Sequence, residues 1–197
     1  MIVEKYVGTA DFPLTEYVRF MREVFSERLR ADIRFVCASY SADDFKRALK
    51  GAHTVIVRDS VQGGVISACS LSPHYGVGGM RYAEHEFLAI SRSQRGCGLG
   101  DVMEREIEAW AHEMKLDFIT SSTAFPATSS VKYHHKHGFR KFMVRSYAST
   151  NYYSWVFVKP IRKSLRMRLL LLGRIPVLLL SLILCTLLYD RNGTKRF

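Results

Sequence analysis

Cysteine is scarce in this chain. Four thiols, Cys37, Cys69, Cys97 and Cys185, are scattered over 197 residues, with no C-x-x-C pair among them. That is too little for a disulfide framework and the wrong spacing for zinc, and it points to a reducing compartment. The opening residues, MIVEKYVGTADF, lack a basic stretch leading into an apolar one, so no secretory signal is expected there. Acid is nearly missing from the other end: residues 161–197 hold eight Lys and Arg but only Asp190 against them. This tail carries +7 of the formal net charge of +11, and residues 1–160 hold 21 basic against 17 acidic side chains. A nucleic-acid-binding domain would spread Lys and Arg over a folded face, so that class is excluded. A basic run beside a very apolar one suits an anionic membrane surface instead.

What is present is a chain that can build a core. Hydrophobic residues make up 48%, which rules out wholesale disorder, and the length suits one domain. Ile2–Val7 reads as a strand. Pro13 opens a helix to about Arg30, with Tyr17, Phe20, Met21 and Val24 on one face. Ser41-Ala-Asp-Asp44 resembles a capping box and starts a short helix through Leu49. Thr54–Val57 and Val65–Leu71 form a hairpin around Gln62-Gly-Gly64, and His74–Gly79 reads as loop. Ala83–Ile90 is the fourth strand, followed by a helix from about Gly98 to Met114. Phe118–Ser121 is another strand. A helix from Ser129 to His137 ends at Gly138 in a left-handed cap, and Lys141–Tyr147 and Tyr152–Val158 close the domain. The order implies an α/β (α+β) domain over residues 1–160, a mixed, mostly antiparallel sheet with helices on both faces. A basic, hydrophobic segment follows over residues 161–197.

The most informative stretch runs from Phe87 to Gly100. A strand ends, a glycine-rich loop follows, and a helix begins at once. Backbone N–H groups from Gly96 to Asp101 then point at one spot beside the positive end of the helix dipole, a natural seat for pyrophosphate. The spacing does not match G-x-G-x-x-G, and no Lys-Ser or Lys-Thr follows Gly100. It does match Arg-x-x-Gly-x-Gly through Arg95, Gly98 and Gly100. This stretch resembles the acyl-CoA loop of the GNAT acetyltransferase superfamily, and the elements after it, through Gly138-Phe139, come in the order that superfamily has.

The resemblance implies transfer of an acyl group from acetyl-CoA, or another acyl-CoA, to a primary amine by direct attack, with no metal. The pyrophosphate would meet Arg95, Gly96, Cys97, Gly98, Leu99, Gly100 and Asp101, and the pantetheine arm would meet Leu88, Ala89 and Ile90. An amine must be neutral to attack, and a lysine-like amine is protonated near neutral pH, so a general base is expected. Glu84 and Glu86 share one face of the fourth strand, and His85 points the other way. The histone-acetyltransferase branch places its base at Glu84, and the arylalkylamine branch places its two histidines at Glu84 and Glu86. His134 stands where many members carry the tyrosine that protonates the leaving thiolate. Tyr133 is the second choice, and an exposed place in the run His134-His135-Lys136-His137 is the alternative for His134. Consecutive histidines do not share a helix face, which argues against a metal. Arg28, Arg30 and Arg34 are candidates for an anionic group on the acceptor, with a solvated face as the plainer reading.

Three functions stay open: an N-acetyltransferase, a long-chain N-acyltransferase making an N-acyl lipid, and a non-catalytic acyl-CoA-binding module. A homodimer is compatible with each. Leu169–Tyr189 is 21 residues, about 31 Å as a helix, against a hydrocarbon core of ~30 Å. Arg174 and Pro176 interrupt it, and Ile175–Tyr189 offers only Ser181 and Thr186 as polar positions. Insertion is expected over a re-entrant or interfacial helix and over an amphipathic segment packed on a partner subunit. Arg162, Lys163, Arg166 and Arg168 before it, against Arg191, Lys195 and Arg196 less Asp190 after it, place the domain on the cytoplasmic side of the membrane.

Overall fold

The structure, a computed structural model, describes residues 1–26, 36–147, 150 and 152–188. The elements in order are β1 (Ile2–Val7), α1 (Leu14–Ser26), α2 (Ala42–Ala48), β2 (His53–Arg58), β3 (Val65–Tyr75), β4 (Arg81–Ile90), α3 (Leu99–Glu113), β5 (Phe118–Ala124), α4 (Thr128–Lys136), β6 (Arg140–Ser146), β7 (Tyr153–Pro160) and α5 (Leu165–Leu188). The strands form a sheet in the order β1-β2-β3-β4-β5-β7-β6, mostly antiparallel. The expected extension of α1 to Arg30, with Arg28, Arg30 and Arg34, lies outside the described residues. So do Tyr189, Asp190, Arg191, Lys195 and Arg196. The expected loop at His74 is corrected: β3 runs on through His74 and Tyr75, and a 3₁₀ turn at Val77–Gly79 follows.

The described residues fall into two compact units. The first holds β1, α1, α2, β2, β3 through His74, β4 from Ala83 and α3 through Trp110. Its sheet is covered on both faces, and strand alternation decides which side chain goes where. Ile56 and Ala68 pair across β2 and β3 and join Tyr17, Phe20, Met21 and Val24 of α1 and Phe45 of α2 in one buried cluster. His53, on the opposite face of β2, meets Trp110 of α3 edge to face at 5.0 Å. The Ser41 hydroxyl accepts from the Asp44 N–H, and the Asp44 carboxylate accepts from the Ser41 N–H, which completes the capping box of α2.

One ion cluster ties α1 to the β2–β3 hairpin. Arg58 donates to Glu16 at 2.7 Å, to Glu4 at 3.0 Å and to the Gly63 carbonyl at 3.1 Å. Glu16 also accepts from the Val65 N–H at 3.2 Å. The sequence reading missed this cluster, because nothing in the spacing joins residues 4, 16 and 58.

The second unit contains the Tyr75–Tyr82 segment and the chain from Ala111 onward. In it β7 pairs with both β5 and β6, and α5 lies along β6. Met167 of α5 packs with Phe118, Val158 and Phe142. Ser181 donates back to the Leu178 carbonyl and accepts from the Val144 N–H of β6 at 2.9 Å. Arg174 donates to the Lys141 carbonyl at 3.3 Å.

The Arg58 hydrogen bond is the main reason Glu16 titrates below the ordinary carboxylate value of 4.5, with burial opposing it. Its stabilisation is present above that value and fades as pH falls through the lowered one. Glu16→Gln is expected to cost about 1.5–3 kcal/mol, the usual worth of a charge-assisted hydrogen bond. Urea unfolding at neutral pH reads the loss, and the gap between wild type and variant should narrow in acid.

Candidate active site

The first unit brings the two acids of β4 to one side. Ser72 donates to Glu86 at 2.6 Å, which puts Glu86 on the face of β3 that carries Ser70 and Ala68. His85 points the other way and meets Cys69 at 2.6 Å. Regular alternation would send Phe87 after His85. Instead Phe87 has φ of 55°, a left-handed conformation that bulky residues seldom adopt. It therefore joins the same cluster as Ile56, Ala68 and Ala89, with its ring against Phe45 at 5.5 Å and Tyr40 at 6.3 Å. This local kink lets a carboxylate and an aromatic ring follow one another on one face.

A cavity of about 430 Å³ opens beside them, and Glu84, Glu86, Ser72, Lys50 and His74 line it. That volume suits a small ligand. Burial pushes the Glu86 carboxyl from the ordinary 4.5 up to about 7, the Ser72 hydrogen bond pulls it back, and the negative charge of Glu84 raises it again. A carboxylate so placed is half ionised near neutral pH, the condition a general base needs. Of the two acids the sequence selects, Glu86 is the desolvated one, and Glu84 shares its cavity.

The loop after β4 adopts the geometry its glycines allow. A 3₁₀ turn at Arg92–Gln94 leads to Arg95, and Gly96 and Gly98 take φ of 84° and 81°. The Asp101 and Val102 amides are the first to bond within α3, both to the Gly98 carbonyl. The Gly98, Leu99 and Gly100 amides precede them at the positive end of the helix. A Cβ placed on Gly96 or Gly98 would meet nothing within 4 Å, so the space beside this backbone is open to a phosphate. The Cys97 amide donates to the Gln94 carbonyl. Ala89 and Ile90, expected along the pantetheine, have their carbonyls bonded to the Ser67 hydroxyl at 3.0 Å and to Arg95 Nε at 3.2 Å. Leu88 is half-buried.

His134 belongs to the second unit, and its setting there is not the solvated helix end that its neighbours suggest. It is buried. Nδ1 lies 2.6 Å from the Ser130 carbonyl, which can only accept, so Nδ1 carries the proton. The Ser121 hydroxyl then donates to Nε2 at 2.8 Å, and the ring stacks on Phe157 at 4.5 Å. Tyr133, half-buried, packs its ring against His134 and His137. Pairing with Ser121 and Phe157 comes from β5 and β7, so only the assembled sheet reveals it.

No curated protein sequence matches this chain. Solved structures share its fold at low identity. Aminoglycoside 6'-acetyltransferase type Ii is 15% identical, with a TM-score of 0.63 over 83% of this chain and 99% of that one. An acetyltransferase of the GNAT family from Streptococcus pneumoniae is 14% identical, with a TM-score of 0.61 over 82% and 100%. A chain of the NatC complex bound to Gag peptide and CoA is 14% identical, with a TM-score of 0.58 over 82% and 100%. The model of the acetyltransferase (GNAT) family matches residues 18–139, from α1 through the Phe139 that precedes β6. The chain belongs to the acetyltransferase (GNAT) family.

Proposed function

We propose that this protein transfers an acetyl group from acetyl-CoA to a primary amine, with Glu86 as general base, and that α5 attaches it to a membrane. The observation that carries the catalytic reading is a half-buried carboxylate, raised to about 7, in a cavity it shares with a second acid. The amine enters as an ammonium ion, which the Glu84 carboxylate attracts. Glu86 takes one proton from it, directly or through a water. The neutral nitrogen attacks the thioester carbonyl carbon, the C–N bond forms, and the C–S bond breaks as the tetrahedral intermediate collapses. The nitrogen sheds a second proton on becoming an amide, and the thiolate takes one up. That balance requires no net proton from His134. With Nδ1 committed to a carbonyl and Nε2 accepting from Ser121, its role is to hold α4 against the sheet. The open backbone from Gly96 to Gly100 receives the CoA pyrophosphate, a reading supported by the CoA in the NatC complex, one chain of which has this fold.

A long-chain acyl donor and a purely binding module are the outcomes to exclude. Purified protein given acetyl-CoA and a panel of small amines should release thiol, and long-chain acyl-CoA should release little. Thiol release with neither donor would leave the binding module.

Gly98→Ala is expected to weaken CoA binding by about tenfold or more, since it hinders a charge-assisted backbone contact and strains a left-handed residue. Calorimetry on folded variant protein checks this; unchanged affinity moves the phosphates elsewhere.

Glu86→Gln should lower kcat by about 10²–10⁴-fold with acyl-CoA affinity unchanged. In the wild type kcat/KM falls as pH drops through about 7, because Glu86 gains its proton there. Glu84→Gln removes a like charge, so this acid limb should move to lower pH. Ser72→Ala removes a bond to the ionised form, so the limb should move to higher pH. Opposite shifts from two neighbours identify Glu86 as the titrating group; a limb that neither variant moves assigns the base elsewhere.

A further inference from the structure

We infer that α5 lies flat on a membrane, in the plane of one leaflet of an anionic bilayer, and does not cross it. This deepens the membrane attachment proposed above and rests on it. The helix is long and apolar enough to span, with mean hydropathy of 2.1 over an 18-residue window within Leu165–Cys185. Two polar side chains within its apolar run, however, are already bonded to the domain. Ser181 bonds the Val144 N–H and Arg174 bonds the Lys141 carbonyl, both on β6. Met167, Ser181 and Cys185 are buried. At 1.5 Å per residue the docked stretch from Met167 to Cys185 runs about 27 Å, nearly the whole helix. A span would have to strip α5 from β6 or drag that strand into hydrocarbon, with Arg140 and Arg145 exposed on it. Arg166 donates to the Gly78 carbonyl, which fixes the start of the helix as well.

The outer face has the shape and charge of a bilayer contact. Leu165, Leu169, Leu172, Ile175, Leu179, Leu180, Ile183 and Leu187 are each more than half exposed, Leu172 at 72% and Leu180 at 60%. With 3.6 residues per turn, these positions together with the exposed Leu184 and Val177 cover an arc of about 200°. One helix–helix seam occupies a narrower stripe, so a second copy of this helix would leave much of the arc in water. A lipid surface covers all of it. Arg166 and Arg168 fall near opposite borders of that arc in the first turn, and Arg162 and Lys163 stand just before it. Cations at the edge of an apolar face are what an in-plane helix offers to anionic headgroups.

The test is co-sedimentation of the full chain with vesicles of phosphatidylserine and phosphatidylcholine, followed by a carbonate wash. The in-plane helix predicts binding that carbonate reverses and that pure phosphatidylcholine supports weakly. Arg162→Gln with Lys163→Gln should weaken binding about 30-fold, near fivefold per charge. Leu172→Glu with Leu180→Glu should abolish it while the unfolding midpoint holds, since both side chains face outward. Leu172→Trp should show an emission blue shift on vesicles and none in buffer. Protein that resists carbonate is a span and overturns the in-plane arrangement while leaving membrane attachment standing. Protein that never sediments removes the membrane altogether. So does a dimer in buffer in which the emission added by Leu172→Trp is already blue-shifted.

Discussion

The left-handed backbone at Phe87 is the constraint on which the candidate site depends. A φ of 55° at a bulky residue costs about 1–2 kcal/mol relative to ordinary strand geometry. Edge-to-face contacts of its ring with Phe45 and Tyr40 return about 0.5–1.5 kcal/mol each, so the kink is sustained by the core it creates. Without it, Phe87 would follow His85 to the α3 side, and the ground beside Glu86 would be left to water. With it, the carboxylate stands at the border of an aromatic cluster, and burial does the rest.

Glu84 and Glu86 then divide the work by environment. Two residues apart on one face, they cannot both be desolvated and ionised at little cost. Burial raises the proton affinity of Glu86, the Ser72 hydrogen bond pulls it back, and the charge of Glu84 adds a smaller rise. In the proposed reaction Glu84 attracts the ammonium ion and Glu86 deprotonates it. Next along the chain, the 3₁₀ turn at Arg92–Gln94 and the left-handed Gly96 and Gly98 deliver the start of α3 as an array of amide donors. The proposed base and the proposed phosphate cradle are thus consecutive products of one strand–loop–helix stretch.

Much of this was legible in the sequence because it is local. The capping box of Ser41 and Asp44, the glycine loop into α3 and the left-handed Gly138 depend on residues a few positions apart, and the structure has each of them. The shared face of Glu84 and Glu86 follows from the period of a strand. What was not legible depends on residues far apart. Phe87 carries no glycine or proline to mark its kink, and the bond that distinguishes Glu86 from Glu84 needs Ser72 on a neighbouring strand. A solvated place for His134 beside His135 and Lys136 was the alternative to a catalytic one, and Ser121 and Phe157 bury the ring instead. Arg174 and Ser181 look like flaws in a membrane span until β6 provides their partners. The continuation of β3 through Tyr75 was hidden by Pro73 and His74, which read as loop residues.

The most direct test of this account is the titration of the Glu86 carboxyl itself, followed by carbon NMR of glutamate-labelled protein, with the signal assigned through Glu86→Gln. The account predicts a midpoint near 7 that falls when Glu84 is replaced by Gln. A Glu86 signal that titrates in the ordinary carboxylate range, unmoved by Glu84→Gln, would contradict it.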